Sequence, residues 1–348
     1  MKKLFLSLVA AMFATVSFAQ SDLVATLTHG TTTTSYYGAD ALVNAAAAAA
    51  EGDVITLSSG TFNRPTINKA FTIRGAGMYA DQEHGIQETR IKGANINIPD
   101  DATEAVRLED FVIIDNDFNI YGKSEKYVYA SRIRGDFVSG SGFMGLYFYG
   151  CYAVVSHCNC VLKSYTDSGN RGNIYCSNSV VAKNGLAANG ESSTAVFQNC
   201  IIPRYVPNDV TYTTFKNCII RTQDNDSGGD FSLNGSCTAI NCIGYNYSTP
   251  SPTSEYSSIF RNLGNTNSIY LTGDDKNIFE DGTSDGSGCE YRLSSAAAAA
   301  YLDDNNTQVG IYGGTNPYRT TPLNPRITTF NAAATNNNGT LRVTINVE

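Results

Sequence analysis

Short apolar runs set off by polar and small residues fill most of this chain, and one phrase recurs among them: an asparagine, a small or thiol residue, then two aliphatics. It reads Asn159-Cys160-Val161-Leu162, Asn178-Ser179-Val180-Val181, Asn199-Cys200-Ile201-Ile202 and Asn217-Cys218-Ile219-Ile220, with a weaker copy at Asn241-Cys242-Ile243-Gly244. The steps between these asparagines are 19, 21, 18 and 24 residues. A period near 20 residues with β-branched content is too short for a helix pair and suits one turn of a strand solenoid. Asp110-Phe111-Val112-Ile113 and Ser131-Arg132-Ile133-Arg134 read as divergent copies. The longer step to Asn159 predicts a loop inserted around 139–145.

Upstream of the repeat the pattern changes. Residues 39–51 are alanine-rich and helix-forming, with Leu42, Val43, Ala46 and Ala49 giving an apolar side. Strands are predicted over 54–57, over 71–77, closed by glycines, and over 89–93 and 96–98. Val106, Leu108, Phe111 and Ile113 alternate with one break, as expected where a strand bends. A helix ahead of the first strands is expected to cover the open end of the solenoid, where unpaired backbone would recruit other chains.

The repeated phrase has a physical logic. Asparagine tolerates the left-handed backbone of a tight corner, and stacked asparagines can hydrogen-bond from turn to turn. Phe197 and Phe215 stand two residues before their asparagines and are expected on the same strand face. His157 falls in the Phe197 slot of its own turn and reads as a packed core residue rather than a catalyst.

Composition adds a location. Lys2 and Lys3, the apolar run Leu4 to Val16 and the small-x-small Ser17-Phe18-Ala19 read as a secretory signal, with the mature chain starting at Gln20. The expectation is an exported protein of the periplasm, cell surface or medium, with no membrane-spanning segment after cleavage. Few charged residues, 31 glycines and 21 tyrosines fit a turn-rich exported all-β protein. A net charge of −8 argues against a nucleic-acid partner, which needs clustered positive charge. Nine cysteines would ordinarily suggest disulfides in an exported chain. Cys160, Cys200, Cys218 and Cys242, however, share one slot of the phrase, and a mostly reduced interior column is expected. Neighbouring turns lie about 4.8 Å apart, so an occasional bridge is within reach.

Gly52-Asp53-Val54-Ile55-Thr56-Leu57-Ser58-Ser59-Gly60-Thr61-Phe62 followed by Phe71-Thr72-Ile73-Arg74-Gly75-Ala76-Gly77 resembles the first coils of pectin lyase-like right-handed parallel β-helix proteins. Tyr291-Arg292-Leu293-Ser294 with its alanine run, Gly310-Ile311-Tyr312-Gly313-Gly314 and Asn316-Pro317-Tyr318 resemble the last coil of secreted Bacteroidota members of that group. Asn324-Pro325-Arg326-Ile327 and the run 338–347 resemble their short C-terminal tail. The resemblance implies an all-β fold: a right-handed parallel β-helix over residues 20–318 with an N-terminal capping helix, then a β tail over 319–348. It leaves function open, because the fold hosts lyases, hydrolases, esterases and adhesins. Lyases of the group use acidic Ca²⁺ ligands and an Arg or Lys base, a set that does not map onto this chain residue by residue.

Candidate chemistry comes from spacing. Lys163, Lys183, Arg204 and Arg221 lie four or five residues after their asparagines, with Tyr165, Tyr205 and Tyr245 nearby. On a solenoid these predict a basic, aromatic stripe suited to an acidic polysaccharide or cell-surface glycan, cations meeting carboxylates or sulfates and rings meeting sugar faces. The same residues also read as solvated turns that discourage edge aggregation. Arg204 or Arg221 is the candidate base if the protein is a divergent polysaccharide lyase. Asp224, Asp226 and Asp230, beside Gly228 and Gly229, could offer oxygen ligands to Ca²⁺, and Asp281 and Asp285 lie in a second glycine-rich stretch. Arg134-Gly135-Asp136 matches an integrin-binding tripeptide within an expected strand. The first reading is a non-catalytic glycan-binding or surface structural protein; the lyase and an adhesin are the alternatives.

Overall fold

The computed structural model describes residues 23–82, 86–123, 125–139, 142–167, 169–189, 194–203, 212–222, 237–246, 267–271, 273–283, 286–320, 327–332 and 343–347. Parallel strands stack into a β-solenoid of about seven turns. Each turn follows three short walls. The first contains strands such as Tyr152–Ser156, Asn173–Ser177 and Thr194–Gln198, paired so that Ser156, Ser177 and Gln198 are level. The second carries Val180, Ile201, Ile219, Ile243 and Ile269 one above another. The third runs through Ala94–Asn97, Phe118–Tyr121, Gly145–Tyr149 and the later half of Asn159–Tyr165.

At the N-terminal end, β1 (Val24–His29) and β2 (Thr32–Tyr37) form a hairpin, and β1 also pairs antiparallel with β3 (Val54–Leu57), the first strand of the first wall. The helix α1 (Ala41–Ala48) packs on these strands through Ala41, Leu42 and Ala45. It is shorter than the alanine-rich run because Ala49 is already extended and the Asp53 carboxylate accepts the Ala50 N–H at 2.7 Å. The expected insertion is a small hairpin, Phe137–Val138 against Gly142–Phe143. The C-terminal tail contributes an antiparallel pair, Ile327–Ala332 with Val343–Val347.

One residue makes the corner between the first and second walls. Asp110, Arg132, His157, Asn178, Asn199, Asn217 and Asn241 occupy it in successive turns, all with φ between 43° and 63°. This corrects the alignment of one copy of the phrase. Asn159 pairs with Val180 and Cys160 with Val181, so the corner of that turn is His157, two residues earlier. His157 therefore does not share the slot of Phe197, which is level with Cys176 and, one turn below, Val155. Cys160 likewise leaves the thiol column, whose members after the corner are Cys158, Cys200, Cys218 and Cys242. All nine cysteines are free, and eight are buried.

The corner side chains do not mainly stack on one another. Asn241 Nδ2 donates to Asn217 Oδ1 at 2.9 Å, a turn-to-turn bond of the expected kind. Elsewhere they face outward and hold the C-terminal segment 278–320, which runs back along the second wall. Asn241 Nδ2 donates to Leu302 O, Asn178 Nδ2 to Ile311 O and Gly313 O, and His157 Nε2 to Asn316 O. The Asn199 amide lies against Gly313, where an added Cβ would come within 2.7 Å of Nδ2. The residues resembling a last coil thus form a strap outside the solenoid. Under it, Val180, Ile201, Ile219 and Ile243 make a second apolar core with Phe279, Leu293, Val309 and Ile311. The first core fills the interior with rings such as Phe197 and Phe215, stacked 5.7 Å apart.

Below the strap the corner is ionic. Arg132 Nε and Nη2 donate to the two Asp110 carboxylate oxygens at 2.5 and 2.9 Å, and both side chains are buried. Burial pushes the Asp110 carboxyl up, against the pull of Arg132. Removing one partner of such a pair leaves an uncompensated buried charge, so Arg132→Ala is expected to cost about 3–5 kcal/mol in denaturant unfolding. A loss comparable to that of an exposed arginine would show that the pair carries little.

His157 gives a pH dependence. Its Nε2 must carry the proton it donates to Asn316 O, which leaves Nδ1 without a partner among the described residues. Burial lowers its pKa, and the charges of Arg319 and Arg132 lower it further, while the Asn316 and Pro317 carbonyls pull the other way. A histidine with a depressed folded pKa favours the folded state fully only above its unfolded pKa, about 6.5. Stability is expected to fall as pH drops below that value. His157→Asn, which restores the residue of the later corners, should flatten melting temperature between pH 7 and pH 5; an unchanged slope would assign the dependence to other groups.

Candidate functional site

On the third wall strand alternation sends every second side chain outward. Phe118, Ile120, Leu146, Phe148 and Leu162 point in, whereas Asn119, Tyr121, Tyr147, Tyr149, Lys163 and Tyr165 are half-buried on the outside. Register then builds two columns. Asn97, Tyr121, Tyr149 and Tyr165 are level, and beside them stand Asn95, Asn119, Tyr147 and Lys163.

The tyrosines stack along the solenoid axis. Ring centroids are 4.5 Å apart for Tyr121 and Tyr149 and 5.1 Å for Tyr149 and Tyr165, with planes within 16° of parallel. Both faces of Tyr149 are therefore covered by its neighbours, and the column offers ring edges and phenol hydroxyls outward. Lys163 Nζ lies 5.0 Å from the centre of the Tyr147 ring, a cation–π contact. Asp117, at the turn into the wall, accepts the Gly145 N–H at 2.8 Å. Gly145 is required there because a Cβ would come within 2.2 Å of Val161 O.

Burial raises the Asp117 pKa, opposed by the Gly145 N–H and the Lys163 charge. Burial and the Asp117 charge push the Tyr147 phenol well above its ordinary range, and burial takes Tyr149 up to about 12. The cluster thus combines the Lys163 side chain, one partly desolvated carboxyl group and a row of phenols in which Tyr147 and Tyr149 are held protonated. It can donate hydrogen bonds to anionic or hydroxylated ligands; a phenol held protonated is a poor proton acceptor.

The spacing-based stripe is brought together only in part. Lys163 and Tyr165 belong to this face. Lys163 is level with Ala187, not Lys183, because the strand Val180–Asn189 carries extra residues between Val181 and Leu186. Arg221 and Tyr245 are level with each other and both are buried; Tyr245, wholly inaccessible, belongs to the second core under the strap. Tyr245 is therefore not a surface ring. Arg204, Tyr205, Asp224, Asp226, Asp230 and Asp285 lie outside the described residues. Asp281 caps its own turn, accepting from Thr283 N and Oγ1. Among the described residues no three His, Cys, Asp or Glu side chains converge as a metal cage. The Arg134-Gly135-Asp136 tripeptide is engaged: Arg134 pairs with Asp136 at 3.0 Å and covers the Tyr79 ring.

Tyr121, Tyr147 and Tyr149 were missed from sequence, although a signal existed. Phe118-Asn119-Ile120-Tyr121, Leu146-Tyr147-Phe148-Tyr149 and Leu162-Lys163-Ser164-Tyr165 share one alternation ending in tyrosine. No helix among the described residues is long and apolar enough to cross a membrane. Compared with protein-family models, curated proteins and solved structures, the chain matches none of them.

The stacked geometry predicts a split titration. In an alkaline absorbance titration, Tyr149→Phe should remove a phenol ionising near pH 12 and leave those ionising near pH 10 unchanged. Loss from the ordinary population would mean that the column is open.

Proposed function

We propose that this is an exported, non-catalytic protein whose third wall holds an acidic polysaccharide or cell-surface glycan. The observation that carries the reading is the outward column Tyr121–Tyr149–Tyr165 with Lys163 and Asp117 beside it. Its ring spacing, set by the strands, repeats a hydroxyl along the axis, as an extended glycan repeats its own polar groups. Lys163 supplies the charge for a carboxylate or sulfate. Ring faces are spent on one another, so recognition runs through phenol hydroxyls rather than stacking on sugar faces. The reading also includes the pectin lyase-like form of the solenoid, right-handed as parallel crossovers generally are, with α1 shielding its first turn.

A divergent polysaccharide lyase is the second reading, on the same cluster. It needs a base near neutral pH, and the upward shift of the Tyr147 phenol weighs against it.

The test is affinity for a panel of uronic-acid and sulfated polysaccharides, with ultraviolet absorbance followed in parallel. Binding that weakens with salt, and weakens about tenfold in Lys163→Ala, is expected from loss of one charge-assisted hydrogen bond. Tyr149→Phe should lose nearly as much as Tyr149→Ala, because the hydroxyl makes the contact. Rising absorbance from unsaturated sugar ends would replace binding by lyase chemistry, and no binding to any member would remove the proposal.

A further inference from the structure

Three of the thiols that follow the corner lean the same way. Cys158 Sγ lies 3.9 Å from Ala130 O, Cys200 Sγ 3.6 Å from Cys176 O and Cys218 Sγ 3.2 Å from Phe197 O. Each thus rests on the first-wall residue of the turn below. That first-wall slot reads Ala130, Val155, Cys176, Phe197 and Phe215 in successive turns. Cys200 is the one corner thiol in this series whose supporting residue is itself a cysteine, and its Sγ lies 3.8 Å from Cys176 Sγ. Both are fully buried.

We propose that Cys176 and Cys200 are an oxidative modification site, a disulfide that staples two consecutive turns when the chain folds in the presence of a small-molecule or protein disulfide. One protein thiolate attacks a sulfur of the donor disulfide, forming a mixed disulfide and releasing one donor thiol. The other protein thiolate attacks the protein sulfur of that intermediate and releases the second donor thiol. Two protein thiols lose two protons and two electrons, and the donor disulfide is reduced to two thiols.

Cys218 competes for Cys200 by column order and is held by the same two kinds of carbonyl, Cys200 resting on Cys176 O and Gln198 O; the two differ in what stands below them. Cys218 Sγ accepts the Cys200 N–H at 3.5 Å and lies 3.2 Å from Phe197 O and Lys216 O, while below it stands a phenylalanine. Burial pushes the Cys200 thiol well up. The folded, reduced protein should therefore exchange slowly, and the bridge should form while these turns are still open.

The experiment is refolding of the reduced full chain in a mixture of oxidised and reduced glutathione, then alkylation, digestion and mass spectrometry. A single cross-linked peptide pair joining Cys176 to Cys200, with the other seven cysteines alkylated, is expected. Cys176→Ala and Cys200→Ala should each abolish it and Cys218→Ala should leave it intact. The bridged protein should melt several degrees above its reduced form, and this redox dependence should vanish in the double alanine variant. Nine alkylated cysteines after refolding, a dominant bridge through Cys218 or Cys242, or a melting gap that survives the double substitution would each overturn the assignment.

Discussion

Seven successive turns of this solenoid pass from the first wall to the second through one residue with positive φ, and the molecule is organised around that corner. For an L-residue with a Cβ the conformation costs about 1–2 kcal/mol, least for asparagine and aspartate. Whatever stands there must be over-determined by its surroundings. In the later turns Asn178 and Asn241 are fixed by backbone of the strap and Asn199 by its Asp303 carboxylate. In the earlier turns Asp110 and Arg132 fix each other by a buried ion pair. His157 stands at the junction and uses one nitrogen on the strap, while the other has no partner among the described residues. The same column is the seam between the two apolar cores, so the strain at the corner and the docking of the strap are one structural problem.

The third wall is free of that burden, and its outward face carries the chemistry. Parallel strands in register turn single outward residues into columns, so three tyrosines far apart in sequence become one stack. Stacking has a chemical consequence: it covers both faces of Tyr149, whose burial raises its phenol pKa, and leaves a row of hydroxyls. Lys163 and Asp117 make the row polar and charged at one side.

Much of the fold was legible because a solenoid writes its period into the chain. The repeat, the left-handed asparagines, a bend within 106–113 and an insertion near 139–145 all followed from local chemistry. The register of one turn did not. Asn159-Cys160-Val161-Leu162 copies the letters of the phrase, but the corner lies at His157, and the two-residue slip keeps every side chain on its expected face, so alternation alone could not expose it. Counting outward from asparagines failed for the same reason. Extra residues between Val181 and Leu186 move Lys183 off the Lys163 row, Arg221 is buried, and the strap covers Tyr245. Burial by a segment that returns from far along the chain leaves no mark in a local pattern.

That return has a consequence for how the molecule is made. The strap's hydrogen bonds to the corners span 133 residues from Asn178 to Ile311 and 159 from His157 to Asn316. During synthesis from the N-terminus, the second-wall row of Val180, Ile201, Ile219 and Ile243 is finished long before its cover emerges. Winding of the turns and closure of the outer core are therefore separate events in time. A nascent or truncated chain carries an open apolar strip down one side, which makes the last stretch of the polypeptide the guardian of solubility for turns already built.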